Sequence, residues 1–281
     1  MLLLPVIIWL KRLYCKCMLI EQLLLTAVVI GCFVTLLFVV SLIIKRNDIA
    51  DVAWGIGIFT VALVSYFSGP QTIPTQIMTV LAGLWGLRLT VRIFLRNLKK
   101  PEDYRYKVWR DSWGSWFFIR SYFQVYLLQG FLMIVVGYPF IHASVYGGAL
   151  TTNLFFILGI LVWLIGYLFE AIGDWQLDRF IKSRPEPGTV LSSGLWKYTR
   201  HPNYFGEVTM WWGIWFMILT LPMSYIALVS PLMITFLILI VSGIPMLEKS
   251  LRAMCNSRYK TAPVLFSRYH QKLVSMKKII V

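Results

Sequence analysis

The densest polar stretch of the chain is Gly194 to Glu207, GLWKYTRHPNYFGE, which runs straight into a tryptophan-rich apolar segment. The residue before Pro202 is pushed toward extended geometry, and Asn203 is placed to cap the helix that follows. Asn203 and Glu207 then sit one turn apart at the helix mouth. Their amide and carboxylate suit the hydroxyls of a ribose or the edge of a base, and Arg200 suits a phosphate. Tyr198, His201 and Tyr204 belong to the same stretch and are counted with it. An interfacial belt of aromatic and basic residues also looks like this, but a belt does not require an Asn-Tyr-x-Gly-Glu spacing.

Two further clusters carry charge toward the same chemistry. In LFEAIGDWQLDRF, Glu170, Asp174 and Asp178 recur every fourth residue and share one helix face. Three like charges so arranged cost stability unless a ligand binds there or basic neighbours such as Arg179, Lys182 or Arg184 pair with them. For Glu170 both uses stay open. In WGLRLTVRIFLR, Arg88, Arg92 and Arg96 share a face of opposite sign. Snorkelling to lipid phosphates accounts for Arg96. Arg88 lies two turns deeper, and its bidentate fork suits the phosphates of a polyanionic cofactor flanked by the acid-rich helix. Candidate proton donors are Asp51, at the start of an apolar run, and Tyr104 and Tyr106 in PEDYRYKVWR.

The elements that must position these residues are apolar helices. Of 281 residues, 58% are hydrophobic and 14% charged. Seven runs approach or reach the length that crosses a hydrocarbon core: Leu19 to Ile44, Val52 to Phe67, Ile73 to Leu95, Phe123 to Ile141, Leu154 to Ile172, Phe205 to Leu221 and Tyr225 to Ile244. The second and sixth are short. No period-two alternation suggests barrel strands, so the fold class is all-α, a polytopic membrane bundle of about seven transmembrane helices. Residues 19–281 form one membrane domain, and residues 1–18 are an interfacial segment or an upstream extension, with Met18 as an alternative start.

The net charge of +15 follows topology rather than nucleic acid. Residues 68–72, 142–153 and 222–224 contain no Lys, Arg, Asp or Glu, whereas Lys45 and Arg46, Arg96 to Asp111, Asp174 to Arg200 and Glu248 to Lys278 hold most of the charge. These latter surfaces and the C-terminus are expected in the cytoplasm, against which Lys11, Arg12 and Lys16 pull. Four scattered cysteines form no disulfide framework, and three histidines far apart give no metal site. The twelve Trp and eleven Met are read as packing and interface residues.

These motifs, together with DVAWG (Asp51 to Gly55) and SGIPMLEKSLR, resemble the steroid 5-alpha-reductase-like membrane proteins, in particular a bacterial-type branch of unassigned substrate. The resemblance covers roughly Asp48 to Pro263. It implies a seven-helix bundle that holds NADPH in a cytoplasm-facing cavity while a lipid-like enone enters from the membrane. It assigns Asp174 and Asp178 to the nucleotide part of the cofactor, with Asn203 and Glu207 as further contacts. Lys182 or Arg184 would meet the phosphates, and Glu248 with Arg252 would lie in the final cofactor-facing segment. Characterised relatives polarise the substrate carbonyl with a second-helix Glu and a third-helix Tyr; here the third-helix position is Trp85 and the second-helix acid is Asp51.

The expectation is therefore an NADPH-dependent reductase of an activated carbon-carbon double bond in a multi-pass membrane protein of the bacterial inner membrane or endoplasmic reticulum. Asp51, Tyr104 or Tyr106 would stabilise the enolate. Its partners would be a lipid-like substrate and membrane lipids, with no nucleic acid and no obligate protein. The alternative is an S-adenosylmethionine-dependent methyltransferase of the isoprenylcysteine or phospholipid type, which shares an Arg-His-Pro-x-Tyr turn. That likeness covers only the last third of the chain and leaves Asp174 and Asp178 unexplained. A non-catalytic lipid-binding scaffold would have no nucleotide affinity.

Overall fold

A computed structural model describes residues 3–98, 100–183, 189, 191–241 and 243–244. The described residues form helices joined by short turns, without a strand. Among the described residues, six helical segments are long and apolar enough to cross a membrane: Tyr14–Ile44, Ile49–Ser68, Ile73–Asn97, Tyr106–Val136, Leu154–Lys182 and Ser224–Val241. The protein is thus an all-helical, multi-pass membrane protein. The run expected over Phe205 to Leu221 is a shorter helix, Pro202–Met217, of 16 residues. The chain divides into two compact units, one of Met1–Asn153 with Ile218–Ser230, the other of Leu154–Met217 with the residues from Pro231 onward.

In the first unit, α1 (Leu3–Ile44) continues through Met18 without a break. α2 (Ile49–Ser68) and α3 (Ile73–Asn97) follow as neighbours. The start of α3 is set by local chemistry. The Thr72 hydroxyl accepts from the Thr75 amide, the Thr75 hydroxyl accepts from the Thr72 amide, and Pro74 falls in the first turn. α2 and α3 approach closely where Gly55 faces Gly86; a Cβ on Gly86 would press on the Gly55 carbonyl. That approach lets Thr90 insert its hydroxyl into the α2 backbone, donating to Val52 O and accepting from Ile56 N, each at 3.1 Å.

The fourth span starts well before the apolar run beginning at Phe123, inside what reads as a charged connection. α4 (Tyr104–Trp113) forms there, with Trp109 and Trp113 one turn apart and stacked, their ring planes 9° apart. Gly114, at φ +50°, ends α4 in the left-handed region. The chain resumes through α5 (Phe117–Ser121) and a π-helical stretch, Tyr122–Leu127, into α6 (Leu128–Val136) and α7 (Tyr138–Tyr146). Hydropathy misses α4 because its residues are aromatic and basic rather than aliphatic.

The second unit is built on α8 (Leu154–Lys182) and α9 (Pro202–Met217), with α10 (Val229–Phe236) carrying the chain into its later part. Glycines seven residues apart, Gly159, Gly166 and Gly173, form a stripe on α8; Gly206 and Gly213 form another on α9. The stripes meet antiparallel. A Cβ on Gly159 would lie 2.7 Å from Gly213 O, and one on Gly166 would lie 2.6 Å from Gly206 O. Lipid offers no hydrophobic drive for helix association, so such backbone-to-backbone packing is what holds membrane helices together.

Candidate functional site

The polar residues of the second unit collect at the end where Gly173 meets the start of α9. Glu170 and Asp174 are buried and Asp178 is partly exposed along one face of α8. The Asn203 side-chain nitrogen Nδ2 donates to Asp174 Oδ1 at 3.2 Å. Asn203 is therefore not the cap. The helix begins at Pro202, whose fixed φ suits the first helical position, and Asn203 lies inside the first turn with its side chain committed to Asp174. The other amide atom, Oδ1, is buried without a hydrogen-bond partner. The reverse amide orientation would set two oxygens against each other, so the acceptor is the atom left over.

The loop ahead of α9 is strapped down onto α8. Gln176 Oε1 accepts from the Leu195 amide at 3.0 Å, and Trp196 Nε1 donates to Gly173 O at 3.0 Å. Gly194 sits at φ +60° against the Gln176 side chain, where a Cβ would lie 2.7 Å from Cδ, so both conformation and space call for glycine. A turn of 3-10 helix, Gly194–Lys197, then leads into the ligand-type residues. Tyr198 is exposed, Arg200 half-buried and His201 buried; Tyr204 places its ring 5.6 Å from that of His201. Glu207, a turn beyond Asn203, is half-buried, and Lys182 is exposed in the last turn of α8. Arg184, Glu248 and Arg252 lie outside the described residues. Gln176 and Trp196 escaped the sequence reading, because nothing in their spacing reveals that Gln176 meets the Leu195 amide and Trp196 the Gly173 carbonyl across the loop.

The first unit holds a separate constellation. Asp51 lies in the first turn of α2, and Tyr106 of α4, 2% exposed, donates its hydroxyl to Asp51 Oδ1 at 3.1 Å. Tyr104 opens α4, and its side chain lies outside the described residues. Trp85 of α3 is buried. Arg88 and Arg92 are half-buried and Arg96 exposed, the gradient expected along their shared face.

Hydrogen bonds set the start of α2 against α4, and local ion pairs hold the groups that make them. Arg46 binds Asp48 with both ends of its fork, at 3.1 and 2.7 Å, and reaches Asn97 O at 3.2 Å. The hydrogen bonds to Asp48 hold the Arg46 guanidinium protonated more firmly than usual. The Asn47 amide donates to Glu102 Oε1 at 2.7 Å, and Arg110 donates to both Glu102 oxygens at 3.2 and 3.3 Å. Asp48 and Glu102 thus lie at the positive end of the α2 dipole. Tyr106 and Arg110 are one turn apart on α4, so the helix is pinned to the start of α2 at two points. Glu102 and Arg110 were legible only as part of a charged loop.

A family model described as "Protein of unknown function (DUF1295)" matches residues 37–272, a range that contains every candidate residue of both constellations. An uncharacterized protein of Schizosaccharomyces pombe is 24% identical over 157 residues, 48% of this chain and 46% of that protein, so the match spans about half the length of this relative. No solved structure matches the chain. With most of its length matched by the family model, the chain belongs to the DUF1295 family.

Proposed function

We propose that this chain is a membrane-embedded, NADPH-dependent reductase of an activated carbon-carbon double bond in a lipid-like or steroid-like substrate. The observation that carries the reading is the hydrogen bond from buried Tyr106 to Asp51. Ionisable groups inside membrane-spanning helices are expensive and mark function by default, and a phenol joined to a carboxyl is a proton-donating pair. The motif resemblance to steroid 5-alpha-reductase-like proteins adds support. The phenol that Trp85 cannot provide is available from Tyr106 on α4.

The residues of the second unit fit a dinucleotide on their own chemistry. Asn203 Oδ1 is a buried acceptor awaiting an N–H or O–H donor. Asp174 and Glu207 accept from ribose hydroxyls or an amide, while Arg200, Lys182 and Arg184 are the cations for a pyrophosphate and a 2'-phosphate. Tyr198, His201, Tyr204, Asp178, Glu248 and Arg252 complete the proposed cofactor set. NADPH, when bound, would supply a hydride to the double-bond carbon remote from the carbonyl, and the resulting enolate would take a proton from water at the other carbon. With Asp51 protonated, the Asp51–Tyr106 pair retains one O–H that would donate to the carbonyl oxygen, where negative charge would collect as the double bond is reduced. A donor held there beforehand stabilises the enolate, and losing one such donor typically costs about 100- to 1,000-fold in rate.

The test is thermal unfolding of detergent-purified protein with NADPH, NADH and S-adenosylmethionine. A ligand at about a hundredfold its dissociation constant adds about 2.7 kcal/mol to the folded state. NADPH should raise the melting temperature most, since its extra phosphate meets the cationic set. Stabilisation by S-adenosylmethionine alone would replace the reductase with the methyltransferase, and no response to any nucleotide would leave a lipid-binding scaffold.

A further inference from the structure

The end of the first unit whose connections carry no charge holds a polar cluster that the reductase reading does not use. The Ser68 hydroxyl of α2 hydrogen-bonds Gln22 Oε1 of α1 at 2.8 Å. One turn along each helix from that bond lie Thr26 and Ser65, both buried. The Thr26 and Ser65 hydroxyl oxygens and Gln22 Nε2 are buried without hydrogen-bond partners. Such atoms in a membrane-embedded unit need a polar companion, because lipid supplies none.

Ser65 lines a small cavity of about 10 Å³ with Thr75, Met78 and Thr79 of α3 and Ser144 of α7. The hydroxyl protons of its neighbours are already spent. Thr75 donates to Pro70 O at 2.9 Å, Thr79 to Thr75 O at 2.9 Å, and Ser144 to Ile141 O at 2.7 Å. The Thr79 and Ser144 oxygens keep lone-pair capacity, whereas Thr75 Oγ1 already meets the Thr72 amide and hydroxyl; Ser65 keeps a donor as well. The cavity therefore offers acceptor oxygens on Thr79 and Ser144, the buried Ser65 hydroxyl as a donor beside the Tyr66 phenol, and no charge. A cation would lack a counter-charge and an apolar guest would leave Ser65 unsatisfied. The volume is at the lower edge of what one water needs, and the polar partners are enough to hold it.

We propose that this cavity is a binding site for a single ordered water, which accepts from Ser65 and donates to the hydroxyl oxygens of α3 and α7. The inference is independent of the reductase reading and is tested without any nucleotide. X-ray radiolysis of the full chain in nanodiscs generates hydroxyl radicals from water in place, and a thioether beside a bound water is oxidised to its sulfoxide. Met78 lines the cavity and Met133 does not, yet both are 1% exposed. The expected result is oxidation of Met78 several-fold faster than Met133. The double replacement Ser65→Ala, Thr79→Val should bring Met78 down to the rate of Met133. Equal rates at the two methionines in the unaltered chain would overturn the proposal, whether or not the double variant folds. Undiminished Met78 oxidation in a folded double variant would overturn it as well.

Discussion

The Asp51–Tyr106 region and the Asp174–Asn203 region each join an acid to a hydrogen-bond donor, but they are assembled by opposite means. In the first unit, side-chain hydrogen bonds do the positioning: Tyr106 with Asp51, and Glu102, itself held by Arg110, with the Asn47 backbone amide, tie α4 to the start of α2. In the second, the absence of side chains does it: glycines seven apart let α8 and α9 touch backbone to backbone, and Gly173 sits against the Asn203 amide. A site tied by side-chain hydrogen bonds tolerates volume changes, whereas a glycine-built site does not.

That contrast orders the predictions. The largest effect is expected from Gly166→Leu, which forces a side chain into the Gly206 carbonyl and the Met210 backbone. Overpacking typically costs about 1–3 kcal/mol and more where backbone cannot move, so thermal unfolding should show a large drop and any nucleotide response should vanish. Tyr106→Phe should cost at most about 1–3 kcal/mol in unfolding, the loss of one partner of a buried hydrogen bond, while lowering the reduction rate by about 100- to 1,000-fold, measured as NADPH consumption with an enone lipid. An equal loss of stability in both variants would break the contrast.

Smaller effects sharpen it. Asn203→Ala should weaken NADPH binding by about 1–3 kcal/mol, the cost of removing one partner of a buried hydrogen bond. Asp178→Ala should cost less, because Asp178 is partly exposed. Gln176→Ala should loosen the loop strap, and a weakened NADPH response at unchanged melting temperature would separate positioning from folding. The smallest effect is expected from Glu102→Gln. Its partner Arg110 is 39% exposed, so solvent screening leaves the pair worth at most about 1 kcal/mol. Salt should erase most of that difference in an unfolding titration.

Much of this architecture was legible in the chain, and the limits have physical causes. Long aliphatic runs report spanning helices because each must satisfy its own backbone in lipid. Even so, Pro202 moved the start of α9 ahead of Phe205 and made Asn203 a first-turn residue rather than a cap. The i, i+4 spacing of Glu170, Asp174 and Asp178 was enough to put them on one face. Tyr106 was named as a donor, but not that it meets Asp51, because that contact joins residues 55 apart across α4, a helix that hydropathy does not reveal. The glycine period of seven was available as a signal of close helix packing; its partner stripe could be matched only in three dimensions.

The account rests most directly on nucleotide recognition by the second unit, separate from chemistry in the first. The decisive measurement is equilibrium binding of NADPH to the detergent-purified protein and to its Asn203→Ala and Tyr106→Phe variants. The account predicts binding by the unaltered chain, a loss of about 5- to 150-fold in Asn203→Ala, the equivalent of 1–3 kcal/mol, and affinity within about twofold of unaltered in Tyr106→Phe. Failure of the folded, unaltered chain to bind NADPH, or equal affinity in the folded Asn203→Ala variant, would contradict it.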